Sequence, residues 1–122
     1  MTRSALFVVA LLWAASSTAQ EVPTEAWITQ MRSILPAHTC QEGQYFRECF
    51  SGTPQQCNET MSSLVDACVE QYKDQIPETI KMPDDGRRWG QVLGSCAGGQ
   101  YDVARKSDRI DSPKCNNPRA WM

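Results

Sequence analysis

The stretch SGTPQQCNETMSSLVDACVEQY, residues 51–72, decides the fold. Thr53-Pro-Gln-Gln56 is a capping-box pattern. The Thr53 hydroxyl can accept from the amide three residues on while Gln56 reaches back, and Pro54 stands at the first helical position, where a missing N–H costs nothing. From there Cys57, Met61, Leu64, Val65, Cys68 and Tyr72 recur at helical spacing, forming one apolar stripe. Gly52 suits the left-handed residue that ends a preceding helix. The chain thus stops one helix and starts another within about three residues, which predicts antiparallel neighbours.

Outward from this stretch the pattern stays helical. Thr39-Cys-Gln-Glu42 is a second capping box and predicts a helix from Cys40 to about Phe50, with Gly43 weakening its first turn and Phe46, Cys49 and Phe50 facing inward. Thr24 is placed to cap a first helix through about Leu35, with Trp27, Ile28, Met31, Ile34 and Leu35 as its stripe and Pro36 as its stop. Residues 76–83 read as an extended connection, because each proline pushes its predecessor out of helix. Asp84 or Asp85 then caps a fourth helix from about Arg87 to Lys106, carrying Trp89, Val92, Leu93, Cys96, Val103 and Ala104. The expected fold is all-α: a disulfide-stapled helical hairpin packed on two further helices.

The first residues read as an export signal. Arg3 precedes an apolar run, Ala5–Ala15, and Ser17 and Ala19 are the small residues a signal peptidase prefers, so cleavage is expected after Ala19. The run is short for a membrane span, which needs about 20 residues, so no stable membrane insertion is expected after cleavage. The mature chain, Gln20–Met122, is one domain. Without Arg3 it keeps eleven of the twelve lysines and arginines against fourteen acids, a net charge of −3. That balance argues against nucleic-acid binding.

Six cysteines in a short exported chain imply three disulfides and an oxidising compartment, periplasmic or extracellular. There is no C-x-x-C and the one histidine is His38, so zinc is not expected. Cys49 lies about one turn before the helix connection and Cys57 about one turn after it. On facing helices their Cα atoms come within the roughly 4.4–6.8 Å a disulfide requires, which predicts Cys49–Cys57. Cys57 and Cys68 share a side of their helix, about 16 Å apart along its axis, and Cys40 stands at the matching level upstream. That predicts a nested Cys40–Cys68 bridge and leaves Cys96–Cys115. Cys40 and Cys49 sit about 180° apart on a regular helix, so an irregular first turn is required. Without it, Cys40 would turn to Cys96 or Cys115. Over Cys40–Cys68, two antiparallel helices with nested staples resemble the coiled-coil–helix–coiled-coil–helix proteins. Those favour C-x9-C spacings where this chain has C-x8-C and C-x10-C, and the resemblance is one of architecture that implies no function.

The remaining features have plain readings. Gly90, Gly94 and Gly98 lie along one side of the fourth helix, where each costs about 1 kcal/mol relative to Ala, and close helix packing is the expected compensation. Residues 20–80 hold three basic and nine acidic groups, while residues 81–122 hold eight basic and five acidic. The basic half offers Arg87, Arg88, Arg105, Lys106 and Arg109 as candidates for steering a charged partner. Tyr45, Phe50, Trp89 and Trp121 could build a groove, although aromatics at helical spacing are normally core. Trp121 in the tail is expected to be exposed. His38 lacks the companions of a catalytic base, and no nucleophile motif, phosphate loop or H-E-x-x-H appears. The Cys-Cys-x-x-His-Asp site of secreted phospholipases A2 is also missing. Asp84-Asp-Gly86 lacks the other ligands of a calcium loop, and Asn58-Glu-Thr60 would matter as a glycosylation acceptor only in a eukaryotic secretory pathway.

The expected function is that of a small exported binding or inhibitor-type protein with no cofactor. It would act on another protein in its compartment through an exposed patch or a protruding loop, such as residues 76–86 or the 108–122 tail. An immunity-type inhibitor of an enzyme in that compartment is one concrete form. The alternative is a carrier holding a small apolar ligand in a closed cavity between helices.

Overall fold

The structure, a computed structural model, describes residues 20–122; the expected signal peptide lies outside the described residues. Three long helices build the body: α1 (Thr24–Thr39), α3 (Pro54–Tyr72) and α4 (Asp84–Ala104), with the single turn α2 (Tyr45–Glu48) between the first two. α3 packs against both α1 and α4. Its capping box forms as read: Gln56 N–H donates to the Thr53 hydroxyl and Thr53 N–H donates to Gln56 Oε1. Cys57, Met61, Val65, Cys68 and Val69 are its buried side, because they fall on one stripe of a 3.6-residue period. Trp27 from α1, Leu93, Ala97 and Tyr101 from α4, and Ile80 close the core.

The fold is mostly helical but not purely all-α. β1 (Gln20–Pro23) pairs antiparallel with β2 (Thr79–Met82), Val22 opposite Ile80; β2 lies inside the segment expected to be an extended connection, where no strand pairing was expected. Each strand has four residues, too few to show a period of two, and its partner lies about sixty residues away in sequence. Ile80 is wholly buried, so the pairing places an apolar side chain under α4. Asp85 accepts a hydrogen bond from Lys81 N–H and so ties the strand to α4; α4 itself starts after Pro83 with no side-chain cap.

Two helix boundaries also differ. α1 continues through Pro36. The proline ring fixes a φ that a helix accepts, and its missing N–H removes one intrahelical bond. The last turn is rebuilt around it: Cys40 N–H donates to Pro36 C=O and the Thr39 hydroxyl to Leu35 C=O. Thr39 therefore ends a helix instead of capping the next one. Gly43, at φ +86°, turns the chain and delays α2 to Tyr45. Glu48 accepts from Gly43 N–H, the role expected of Glu42 toward Thr39.

All six cysteines are bridged, but none of the three pairings follows the expected nesting. The bridges are Cys40–Cys57, Cys49–Cys115 and Cys68–Cys96. The long second helix assumed for a hairpin is one turn, so Cys40 sits at the end of α1 and meets Cys57 across the α1–α3 contact. Cys68 and Cys96 join α3 to α4. Cys49, fully buried, is reached by the tail. There Ser51 N–H donates to Asp108 C=O and Ile110 N–H to Cys49 C=O, an antiparallel bridge centred on Phe50 and Arg109. Ser112 then turns the chain, and Cys115 arrives against Cys49.

The glycine stripe has a split explanation. A Cβ at Gly98 would stand 3.1 Å from Phe46 Cζ, so this position is closely packed. A Cβ at Gly90 or Gly94 would meet nothing within 4 Å, so packing does not account for those two.

Candidate functional site

The tail, α2 and the last turns of α4 enclose an open cleft of about 490 Å³. Tyr45, Asp102, Arg109, Asn116, Pro118 and Trp121 line it with Cys115. Each is positioned by a local reason. Gly43 sets the direction of α2, which carries Tyr45 into an aromatic cluster: its ring meets Phe46, Phe50 and Trp121 edge-on at 5.0, 5.7 and 5.7 Å between centroids. Such offset contacts suit rings with a negative face and a positive edge. Asp102 projects from the outer side of α4. Pro118 opens a 3₁₀ turn, Pro118–Trp121, capped by Asn117, that carries Trp121 back to Tyr45.

Arg109 organises the cleft. Its Nε–H donates to the Tyr45 hydroxyl at 3.1 Å, its Nη2 to Cys115 C=O at 2.7 Å and its Nη1 to Ile110 C=O. The guanidinium also lies 5.5 Å from the Tyr45 ring centroid and 5.9 Å from that of Phe50. Tyr45 O–H in turn donates to Asp102 Oδ1 at 2.8 Å. Burial pushes the Tyr45 phenol above its ordinary range, and the bond to the Asp102 carboxylate adds to the rise. Trp121 is half-buried, not exposed as expected. Its indole N–H donates to Lys114 C=O, and the Lys114 ammonium sits 4.6 Å from its ring centroid.

The five basic candidates are not one patch. Arg87 and Arg88 are exposed at the start of α4, and Arg88 lies 5.5 Å from the Trp89 ring centroid. Arg105, Lys106 and Arg109 follow the other end, about 26 Å along the axis at 1.5 Å per residue. Arg105 spends its guanidinium inside the molecule, on Asp108 Oδ2 at 2.8 Å and Ser51 C=O at 2.7 Å. Lys106 remains exposed. Both segments named as candidate contact loops are tied to the body: residues 79–82 are paired in the sheet and the tail is bridged to Cys49. Tyr45 and Trp121 were legible as groove aromatics, whereas Asp102, Asn116 and Pro118 were missed. They come together only through the Cys49–Cys115 closure, which no local pattern announces.

His38 is exposed near the end of α1. Among the described residues, no group of three or more His, Cys, Asp or Glu side chains is arranged to hold a metal, and no helix is long and apolar enough to cross a membrane.

Fold and site together define a small helical protein stapled by three disulfides, with a preformed surface cleft. A family model described as T2SS substrate NttA matches residues 21–109, nearly three quarters of the chain. The chain belongs to this family of secreted substrates. Residues 110–122, with Cys115 and Trp121, lie beyond the matched span. No curated protein and no solved structure matches the chain.

Proposed function

We infer that this is a secreted binding protein that acts by surface contact, and that the cleft between α2, the end of α4 and the tail is its contact site. The observation that carries this reading is that the cleft's geometry is fixed in advance. Arg109 is held by three acceptors, Tyr45 is held between Arg109 and Asp102, and the tail is bridged to the core. A site already ordered loses little conformational entropy on binding, which is how a small surface reaches useful affinity. The partner is a macromolecule of the compartment into which the protein is secreted. The carrier alternative needs a walled cavity, whereas this cleft and the grooves beside Arg105, Arg32 and Tyr72 open to solvent.

Site-specific photo-crosslinking tests this reading. A photoreactive side chain is placed either at Asn116 in the cleft or at Thr29 on the α1–α3 groove, and each protein is exposed to the medium in which it normally acts. Adducts from position 116 that exceed those from position 29 are the expected result. Equal yields, or adducts from position 29 alone, would remove the cleft as the contact site.

A further inference from the structure

The groups left unspent in this cleft define what it can hold. Its two formal charges cancel, since Asp102 and Arg109 share the lining and are joined through the Tyr45 hydroxyl. An anion would meet a guanidinium already committed to a hydroxyl and two carbonyls, beside the Asp102 carboxylate. A cation would meet the Arg109 guanidinium beside the carboxylate. The net field favours neither.

The donors that usually read a peptide are also spent. Grooves that take proline-rich segments offer aromatic hydroxyl and indole donors to the peptide's carbonyls. Here the Tyr45 O–H is given to Asp102 and the Trp121 N–H to Lys114 C=O. What remains is mainly acceptors. Among the described residues Asp102 Oδ2 makes no hydrogen bond, and Asn116, whose Nδ2 donates to Asp111 at 2.6 Å, keeps its amide oxygen free. These planar acceptors stand beside the apolar walls of Tyr45, Pro118 and Trp121. A suitable ligand is neutral, carries several hydroxyl donors on one edge, and has an apolar C–H face to lay on the rings.

We propose that the cleft is a binding site for a neutral saccharide, in which sugar C–H groups pack on Tyr45 and Trp121 while hydroxyls donate to Asp102 Oδ2 and Asn116. The proposal rests on the reading of this cleft as the contact site and names the chemistry it recognises. The volume, about 490 Å³, falls in the range of about 300–1,000 Å³ usual for small-ligand sites. The saccharide could be a glycan on a partner protein or part of a free polysaccharide.

The test uses the mature chain with its disulfides intact and follows the indole N–H resonances by ¹⁵N NMR. Trp27 and Trp89 are buried in the body and act as internal controls for Trp121. Cellotriose, mannotriose and chitotriose are titrated to about 20 mM, alongside a sulfated trisaccharide and an octaproline peptide. The expected result is a saturable shift of Trp121 alone with a neutral sugar, weakened at least about tenfold in Asp102→Ala, whose unchanged Trp27 and Trp89 signals show an intact body. No shift with any neutral sugar, or tighter binding of the sulfated sugar or the peptide, overturns the proposal.

A glycoprotein bearing neutral mannose glycans, before and after enzymatic removal of them, separates the two sources. Binding lost on removal marks a protein-borne glycan as sufficient, and binding to free oligosaccharide alone marks a polysaccharide. Crosslinks at position 116 to a protein stripped of glycan, with no shift of Trp121 by any neutral sugar, would keep the cleft as contact site and overturn the saccharide. Absence of both crosslinks and shifts would overturn both readings.

Discussion

In the body, Trp27, Val65 and Leu93 are shut from water by apolar neighbours on three helices, with two disulfides, Cys40–Cys57 and Cys68–Cys96, pinning those helices together. At the corner where the tail crosses α2, the parts are held one by one: a disulfide, an arginine with three acceptors, and rings meeting edge to face. The body's stability is spread over buried area and cannot be removed at one point. The corner's geometry depends on a few groups, each of which can be deleted. Hydrogen bonds and the disulfide at the corner fix where individual polar groups point, which burial alone does not do.

That contrast can be broken from either side. The largest effect is expected from Cys49→Ala with Cys115→Ala. This bridge closes a separation of 66 residues, against 28 for Cys68–Cys96 and 17 for Cys40–Cys57. Chain-entropy arguments give about 4 kcal/mol for such a loop, read by guanidinium unfolding, with the tail becoming open to limited proteolysis. Leu93→Ala should cost about 3 kcal/mol of global stability and leave the tail's protease resistance in native buffer unchanged, because its cavity lies within the body. Arg109→Met should do the reverse. It leaves Tyr45, Ile110 and Cys115 without a donor, costs about 2 kcal/mol, and broadens the Trp121 indole signal before the core melts.

The same contrast marks what sequence could show. α3 was legible end to end, since Thr53, Pro54 and Gln56 are a local cap and Met61, Val65 and Cys68 a local period. The four-residue strands were not, because their pairing depends on a partner far along the chain. The disulfides failed for the same reason: Cys57 is the nearest partner of Cys49 in sequence, but Gly43, at positive φ, turns the chain and leaves α2 a single turn, so the long helix of the expected hairpin does not form. Of the cleft, the aromatics could be named in advance and the polar groups could not.

The smallest expected effect concerns the glycines of α4. Gly90→Ala and Gly94→Ala should each raise stability by about 0.5–1 kcal/mol, because both are helical with open space beside them. Gly98→Ala should gain nothing, as Phe46 would have to retreat from the new methyl group. Thermal midpoints of the three variants separate a backbone cost from a contact at the corner.

The long reach of the Cys49–Cys115 bridge bears on how the chain matures as it enters an oxidising compartment from its N-terminus. Cys40 and Cys49 arrive first, and the next thiol, Cys57, is nearer to the wrong one. Its native partner is Cys40, 17 residues back, while Cys49 must remain reduced or be reshuffled until Cys115 follows 66 residues later. The final thiol to emerge thus completes the bridge that anchors the tail. A chain that lost Cys115 and the residues after it would carry an unpaired thiol at Cys49, a chemical mark of incompleteness that thiol-exchange enzymes can recognise.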